Sequence, residues 1–225
     1  MIRAYDKSYL SPARTALGRS FDYAVYDQGL TLDDYYALFL VSSYARRFAT
    51  GDPSVLAGMS GIELARCVMA ETSGLVPIRP GNRTGRSPEY WTGWALAYYQ
   101  WYTAFPLWEI ERAIPITRIL DLYQPYHEMD ISSFVAEMLR LHEAAEPGTP
   151  LKRRRMQLGF SQSELARRSG VPLRTIQQYE QRQKDINRAS FETVMQLAQA
   201  LGNSDPRALY DRLSAVRNST EYESA

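Results

Sequence analysis

Cys67, His127 and His142 are the only thiol and imidazole groups in the chain. Three such ligands fall one short of a structural zinc site, so no metal is expected within one chain. A single cysteine also rules out an internal disulfide, which points to a reducing, cytoplasmic compartment. The run Tyr126-His127-Glu128-Met129-Asp130 sets an imidazole beside two carboxylates, a pairing suited to acid–base work. It has no second His four residues on, as a zinc-protease helix needs. Asp130 fits better as the N-cap of the helix that follows. His142 reads as a surface or boundary histidine, and Cys67, within IELARCVMAE, as a small buried apolar residue. The loop VPIRPGNRTGRS over residues 76–87 carries Arg79, Arg83 and Arg86, cations able to hold a phosphate. It follows no strand and lacks GxxxxGK[ST], so it reads as a solvated loop. No catalytic set emerges; the expectation is a protein that is not an enzyme and needs no cofactor.

Charge is distributed unevenly along the chain. The 26 Lys+Arg and 25 Asp+Glu leave a net +1 over 225 residues. Residues 1–147 nevertheless hold 13 basic and 17 acidic side chains, or −4, while residues 148–225 hold 13 and 8, or +5. A basic segment of this kind points to nucleic acid, and Glu146-Pro147-Gly148-Thr149-Pro150 has the composition of a linker. With 45% hydrophobic and 23% charged residues the composition is globular, which excludes disorder, collagen and a coiled-coil rod. Two domains are expected, 1–147 and 148–215, with a frayed polar tail at 216–225.

The elements of the basic half follow from caps and breakers. Thr149-Pro150 starts a helix through LKRRRMQL that Gly159 closes, and Ser161 with Glu164 forms a capping box before SELARRSG. Gly170, Val171 and Pro172 separate that second helix from LRTIQQYEQ. Two short helices joined by a tight glycine turn make a helix-turn-helix, whose second helix enters the major groove. Leu165, Ala166, Val171 and Ile176 fall where the two must press together. After Gly202, Asp205-Pro206 opens a last amphipathic helix, PRALYDRLSAV, with Leu209 and Leu213 on its apolar face.

The segment SQSELARRSGVPLRTIQQYE, continuing through SFETVMQLAQALG, resembles the Cro/C1-type (XRE) helix-turn-helix family over about residues 151–201. The resemblance implies double-stranded DNA as partner and transcription regulation as function. By position it places Gln162 near a phosphate and Leu173, Arg174 and Gln178 against base edges. Thr175 and Gln177 would flank them, Arg188 would approach the backbone or minor groove, and Glu180 would stabilise the fold. The chemistry agrees, because Arg pairs bidentately with guanine and Gln with adenine. Arg153, Arg155, Arg167, Arg168, Arg182 and Lys184 are candidates for phosphate attraction. The chain departs from the family at Arg182, where many members carry Gly, so the loop after the recognition helix is expected to take another path. It also has Arg154 near a position that is often apolar, so Leu151 and Leu158 are expected to pack the first helix.

The acidic half reads as helical too. Ser11-Pro12 opens a helix that Gly29 closes, and Thr31 opens one through TLDDYYALFLVSSYARRFA to Gly51. Ser60 and Glu63 form a capping box before IELARCVMAE, Ser87-Pro88 starts an aromatic helix, and Pro115 and Asp130 set off two more segments. No useful strand alternation occurs, so the fold class is all-α: an N-terminal helical domain followed by a five-helix Cro/C1-type domain. Tyr90 to Trp108 is a run of 19 uncharged residues, nine of them aromatic, including all four Trp. It is too polar for a membrane span, and no membrane is expected. Trp91, Trp94, Tyr98, Trp101 and Phe105 recur at steps of three and four and are expected to form the core stripe. Tyr99, Tyr102 and Trp108 lie off it and are candidates, with the stripe's Trp and Tyr residues, for binding a partner or ligand.

PEYWTGWALAYYQWY and YQPYHEMDI also resemble helical domains of bacterial regulators encoded beside toxin genes. The expectation is therefore a dimeric, autorepressing, antitoxin-like regulator whose N-terminal domain binds a toxin or other protein. The alternative is a regulator whose aromatic domain senses a small molecule.

Overall fold

The computed structural model describes residues 3–81 and 85–216. Among these the chain is all α-helical, with short 3-10 turns and no strand, and its contacts separate into a unit within residues 2–145 and one within 146–225. Arg83 and residues 217–225, nearly all of the expected tail, lie outside the described residues.

In the N-terminal unit α1 (Leu10–Tyr26) follows a 3-10 turn at Lys7–Tyr9, so Pro12 sits inside its first turn rather than at its start. The expected helix from Thr31 to Gly51 is two: α2 (Leu32–Val41) and α3 (Ser43–Ala49). Ser42 adopts an extended conformation and its Oγ accepts from the Ala45 N–H, so a cap interrupts what periodicity alone would continue. The short α4 (Pro53–Leu56) leads to α5 (Gly61–Thr72), where the Ser60–Glu63 box is reciprocal. The aromatic α6 (Pro88–Thr103) is capped by Ser87, whose hydroxyl also donates to the buried Asp22 at 2.6 Å. Then come α7 (Leu107–Ala113), α8 (Ile116–Asp121), α9 (Tyr123–Tyr126) and α10 (Ile131–Ala145).

The principal crossing, α1 on α6, corrects the expected aromatic stripe at Trp91, Trp94 and Tyr98. A Cβ on Gly18 would lie 2.7 Å from the Tyr90 carbonyl oxygen, and one on Gly93 would lie 2.7 Å from that of Leu17. Only glycine permits so close an approach. Where α6 crosses α1 its face is consequently built from small residues, with Thr92, Gly93, Leu96, Ala97 and Gln100 buried there, while Trp101 and Phe105 of the expected stripe are buried as expected. Trp91, Trp94 and Tyr98 are half-buried. Trp91 meets Tyr123 and Phe134 edge-on at 5.6 and 5.2 Å. The Arg14 guanidinium lies 3.2 Å from the Trp94 ring centre, and that of Arg3 lies 4.0 Å from the Tyr102 ring centre. Burial lowers the Arg14 pKa to about 10. Tyr99, expected on the partner-facing side, is completely buried, and Tyr102 nearly so.

The C-terminal unit comprises α11 (Pro150–Gln157), α12 (Gln162–Ser169), α13 (Leu173–Glu180) and α14 (Phe191–Ala200), with a 3-10 turn at Ile186–Arg188. The expected last helix is broken into a 3-10 turn at Pro206–Leu209 and a helical stretch at 212–216. Asp211 stands at the break, where its side chain takes the Ser214 N–H and an arginine. The core joins Leu151, Leu165, Val171, Ile176, Leu197 and Leu209. Leu158, expected to pack α11, is 38% exposed, and the half-buried Phe160 packs against the core. Among the described residues no helix is long and apolar enough to cross a membrane.

Candidate nucleic-acid interface

Helices α12 and α13 meet through a turn in which Gly170 has φ +73°, a left-handed conformation that closes α12 with a Gly170 N–H to Ala166 carbonyl bond. The Ser169 hydroxyl donates to the Leu165 carbonyl and its oxygen accepts from the Val171 N–H, so the turn is satisfied internally. Ser161 caps α12 through the Glu164 N–H at 3.0 Å. The expected return bond of the capping box is absent, because the Glu164 carboxylate turns to Arg167 and Arg168. Those two guanidinium groups hold its pKa down at about 2.

A buried polar cluster fixes α13 from behind. Arg155 donates to both oxygens of Glu180, at 2.6 and 2.8 Å, and its third nitrogen donates to the Phe160 carbonyl at 2.6 Å. Gln162 completes the cluster by donating to Glu180 Oε2 at 2.8 Å. Three helices thus share one carboxylate, which in turn raises the Arg155 pKa. Arg155 is therefore an interior tie rather than a phosphate contact, which corrects the expectation above. Glu180, 7% exposed, has the stabilising surroundings that the family resemblance implied.

Ile176, Tyr179 and Glu180 bury the inner face of α13. Leu173 and Arg174 are exposed on the opposite side, and Thr175, Gln177 and Gln178 are half-exposed. The side chains of Arg174, Thr175, Gln177 and Gln178 make no hydrogen bond or ion pair among the described residues. Sequence reasoning passed over Gln181, which is exposed and lies seven positions after Arg174, two helical turns along the same face. The helical period would have found it.

Beyond α13 the backbone at Arg182 has φ +57°, the left-handed region that glycine favours. The side chain donates to Asp211 at 2.7 Å. Arg182 thus fills a glycine's conformational role while bracing the end of the unit, so it too leaves the set of phosphate-facing cations. The expectation of another loop path is not needed to accommodate it. Arg153 is tied to Glu146 at 3.1 Å. Arg167, Arg168, Lys184 and Arg188 remain at the surface, Lys184 over the Tyr179 ring at 5.6 Å and Arg188 with Asp185 at 3.9 Å.

In the N-terminal unit the residues singled out for chemistry do not converge. The His127 ring stacks on Tyr123 at 4.3 Å, with its Nδ1 2.9 Å from the Tyr123 carbonyl oxygen and Glu128 3.5 Å away. Asp130 accepts from the Ser132 N–H, as a cap does. His142 is buried, not at the boundary; it stacks on Phe105 at 4.4 Å, with Nδ1 3.4 Å from the Tyr99 hydroxyl. Cys67 is half-buried beside Tyr44 rather than a fully enclosed apolar residue. Trp108, alone among the candidate aromatic residues, is mostly exposed, at 57%. It stands on the rim of a cavity of about 410 Å³ between α3 and the corner joining α6 to α7.

A family model described as helix-turn-helix matches residues 151–209, about a quarter of the chain. No curated protein and no solved structure matches. The matched segment is a helix-turn-helix domain of the Cro/C1 (XRE) type, which supports a DNA-binding transcription regulator.

Proposed function

We propose that this chain is a sequence-specific regulator that reads operator DNA with the outward face of α13 and binds as a two-fold dimer. The observation that carries this is the free polar face of α13, Arg174, Gln177 and Gln178, on a helix clamped from behind by Glu180. Arg offers a bidentate partner to guanine and Gln to adenine, while Leu173 suits a thymine methyl, each good bidentate pair being worth about 1–3 kcal/mol of discrimination. Gln162 would turn from Glu180 to a phosphate, with Arg167, Lys184 and Arg188 supplying sequence-independent attraction. Two copies would address half-sites about 34 Å apart.

The test is selection from a random duplex library, followed by affinity measurements on the enriched sequence and its single-base variants. Arg174→Ala and Gln178→Ala should flatten discrimination at separate base positions. Equal discrimination by the variants and the parent chain would refute the assignment of α13.

On this proposal the N-terminal unit takes the effector that sets DNA occupancy. The likeness of its aromatic segments to regulators encoded beside toxin genes, together with exposed Trp108, supports autorepression with a toxin as the partner. The cavity beside Trp108 supports a small-molecule effector instead, and it is the more specific of the two observations. Capture with the full chain from host lysate separates them: a stoichiometric protein selects the first reading, and a co-purifying metabolite selects the second.

A further inference from the structure

We infer that the cavity between α3 and the α6–α7 corner is a binding site for a small organic acid with a flat apolar body and an N–H or O–H donor. The inference rests on the small-molecule reading of the effector. At about 410 Å³ the cavity accommodates a ring system, and its walls are largely apolar, including Leu40, Ala45 and Leu107.

The donor requirement comes from Gln100. This side chain lines the cavity and is 1% exposed. Its Nε2 donates to the Ala49 carbonyl at 3.2 Å, which fixes the orientation of the amide. Oε1 is left buried with no hydrogen-bond partner. A buried acceptor without a donor is costly, and such groups in native proteins call for an explanation. A small shift of the amide toward the inner end of the cavity would bring Oε1 within reach of a ligand N–H or O–H, which would supply what the chain does not.

The anionic requirement comes from Arg46, which also lines the cavity and is exposed. Its neighbour Arg47 is tied to Asp52 at 2.8 Å and to Ser54, whereas Arg46 makes no ion pair among the described residues. A cation left free beside an apolar cavity suits a carboxylate. Trp108 offers an exposed ring for a flat ligand to stack on.

A third, independent observation lies in the backbone. Ala104, at the C-cap of α6 and in the cavity lining, has φ +54°. With Arg182 it is one of two non-glycine residues with positive φ among the described residues. Such conformations persist where surrounding structure imposes them, and they cluster at ligand sites. Here the strained corner carries the chain from Gln100 to Leu107, across the cavity wall.

Titration calorimetry on the full chain without DNA tests the site with three probes. Indole-3-acetate has a flat body, a carboxylate and a ring N–H; naphthalene-1-acetate lacks the donor; tryptamine replaces the acid with a cation. Relative to indole-3-acetate, naphthalene-1-acetate should bind about tenfold more weakly for want of one hydrogen bond, and tryptamine at least about tenfold more weakly for want of the charge contact. Arg46→Gln should weaken both acids about tenfold and relieve the repulsion of tryptamine, so that its affinity holds or rises. Gln100→Leu should abolish the advantage of indole-3-acetate over naphthalene-1-acetate. Because Gln100 also holds Ala49, the exposed Arg46 variant keeps the test intact if the Leu variant fails to fold. Absence of binding by either acid at about 1 mM, or acid binding indifferent to Arg46→Gln, overturns the inference. Neither result bears on DNA reading by α13, which is measured separately on operator sequences.

Discussion

Arg155 and Glu180 illustrate how much one buried pair can decide. Removing one partner of such a pair strands a charge in the interior and costs about 3–5 kcal/mol, whereas replacing both with apolar residues is far milder. Arg155→Met should therefore strongly destabilise the C-terminal unit, and Arg155→Met with Glu180→Leu should recover most of the loss. All four Trp lie within residues 91–108, so intrinsic Trp fluorescence follows the N-terminal unit alone; far-UV circular dichroism is needed here. The same fluorescence suits Glu111, whose pKa burial raises from 4.5 to about 7, with Asp33 adding to the rise and the Ile116 N–H opposing it. The unfolded carboxyl ionises near 4.5 while the folded one stays protonated up to about 7. The contribution of Glu111 is thus greatest below 4.5 and is lost as pH rises through that window. Glu111→Gln should remove this portion of the pH dependence in urea titrations; an unchanged profile would show that Glu111 is not its source. At this scale the sequence was only partly legible. Glu180 stood out by family position, but Arg155 looked like every other cation on a basic helix, because its partner is 25 positions away.

Helices were legible where capping chemistry is local. Ser60 with Glu63, Ser87-Pro88 and Thr149-Pro150 each announce an N-terminus within four residues, and each cap is present. Ser42 was missed because it interrupts a long apolar run without Gly or Pro. In α6 the period of three and four located a face but could not say which face was inward, since both carry apolar residues. Gly93 was the overlooked sign. Gly93→Ala or Gly18→Ala should push α1 and α6 apart and cost about 1–3 kcal/mol, read by Trp fluorescence. Gly170→Ala makes a contrasting case: no atom lies within 4 Å of the added Cβ, so only the left-handed backbone is penalised, by about 1–2 kcal/mol. A Gly93 variant as stable as the parent would mean that the crossing adapts more readily than its geometry suggests.

Over the whole molecule, charge asymmetry pointed to residues 148–225 and family likeness to about 151–201, and the family model covers 151–209. The cavity had no such signature, since residues 40–50 and 100–108 come together only in the fold and match no motif. Because Arg167 is exposed and off the recognition helix, Arg167→Ala should weaken binding to all sequences alike and lower the salt slope by about 1. Band-shift titrations across a salt series measure this directly, and a sequence-selective loss would assign Arg167 to base reading instead. The clamp at Glu180 has one more consequence, for how specificity can diverge. Positions 155 and 180 are paired and must vary in concert, whereas the side chains of 174, 177 and 178 make no hydrogen bond or ion pair among the described residues and 173 is exposed. On the proposed reading of DNA by α13, exchanging those four as a set would open new operator preferences while leaving the Arg155–Glu180 pair in place.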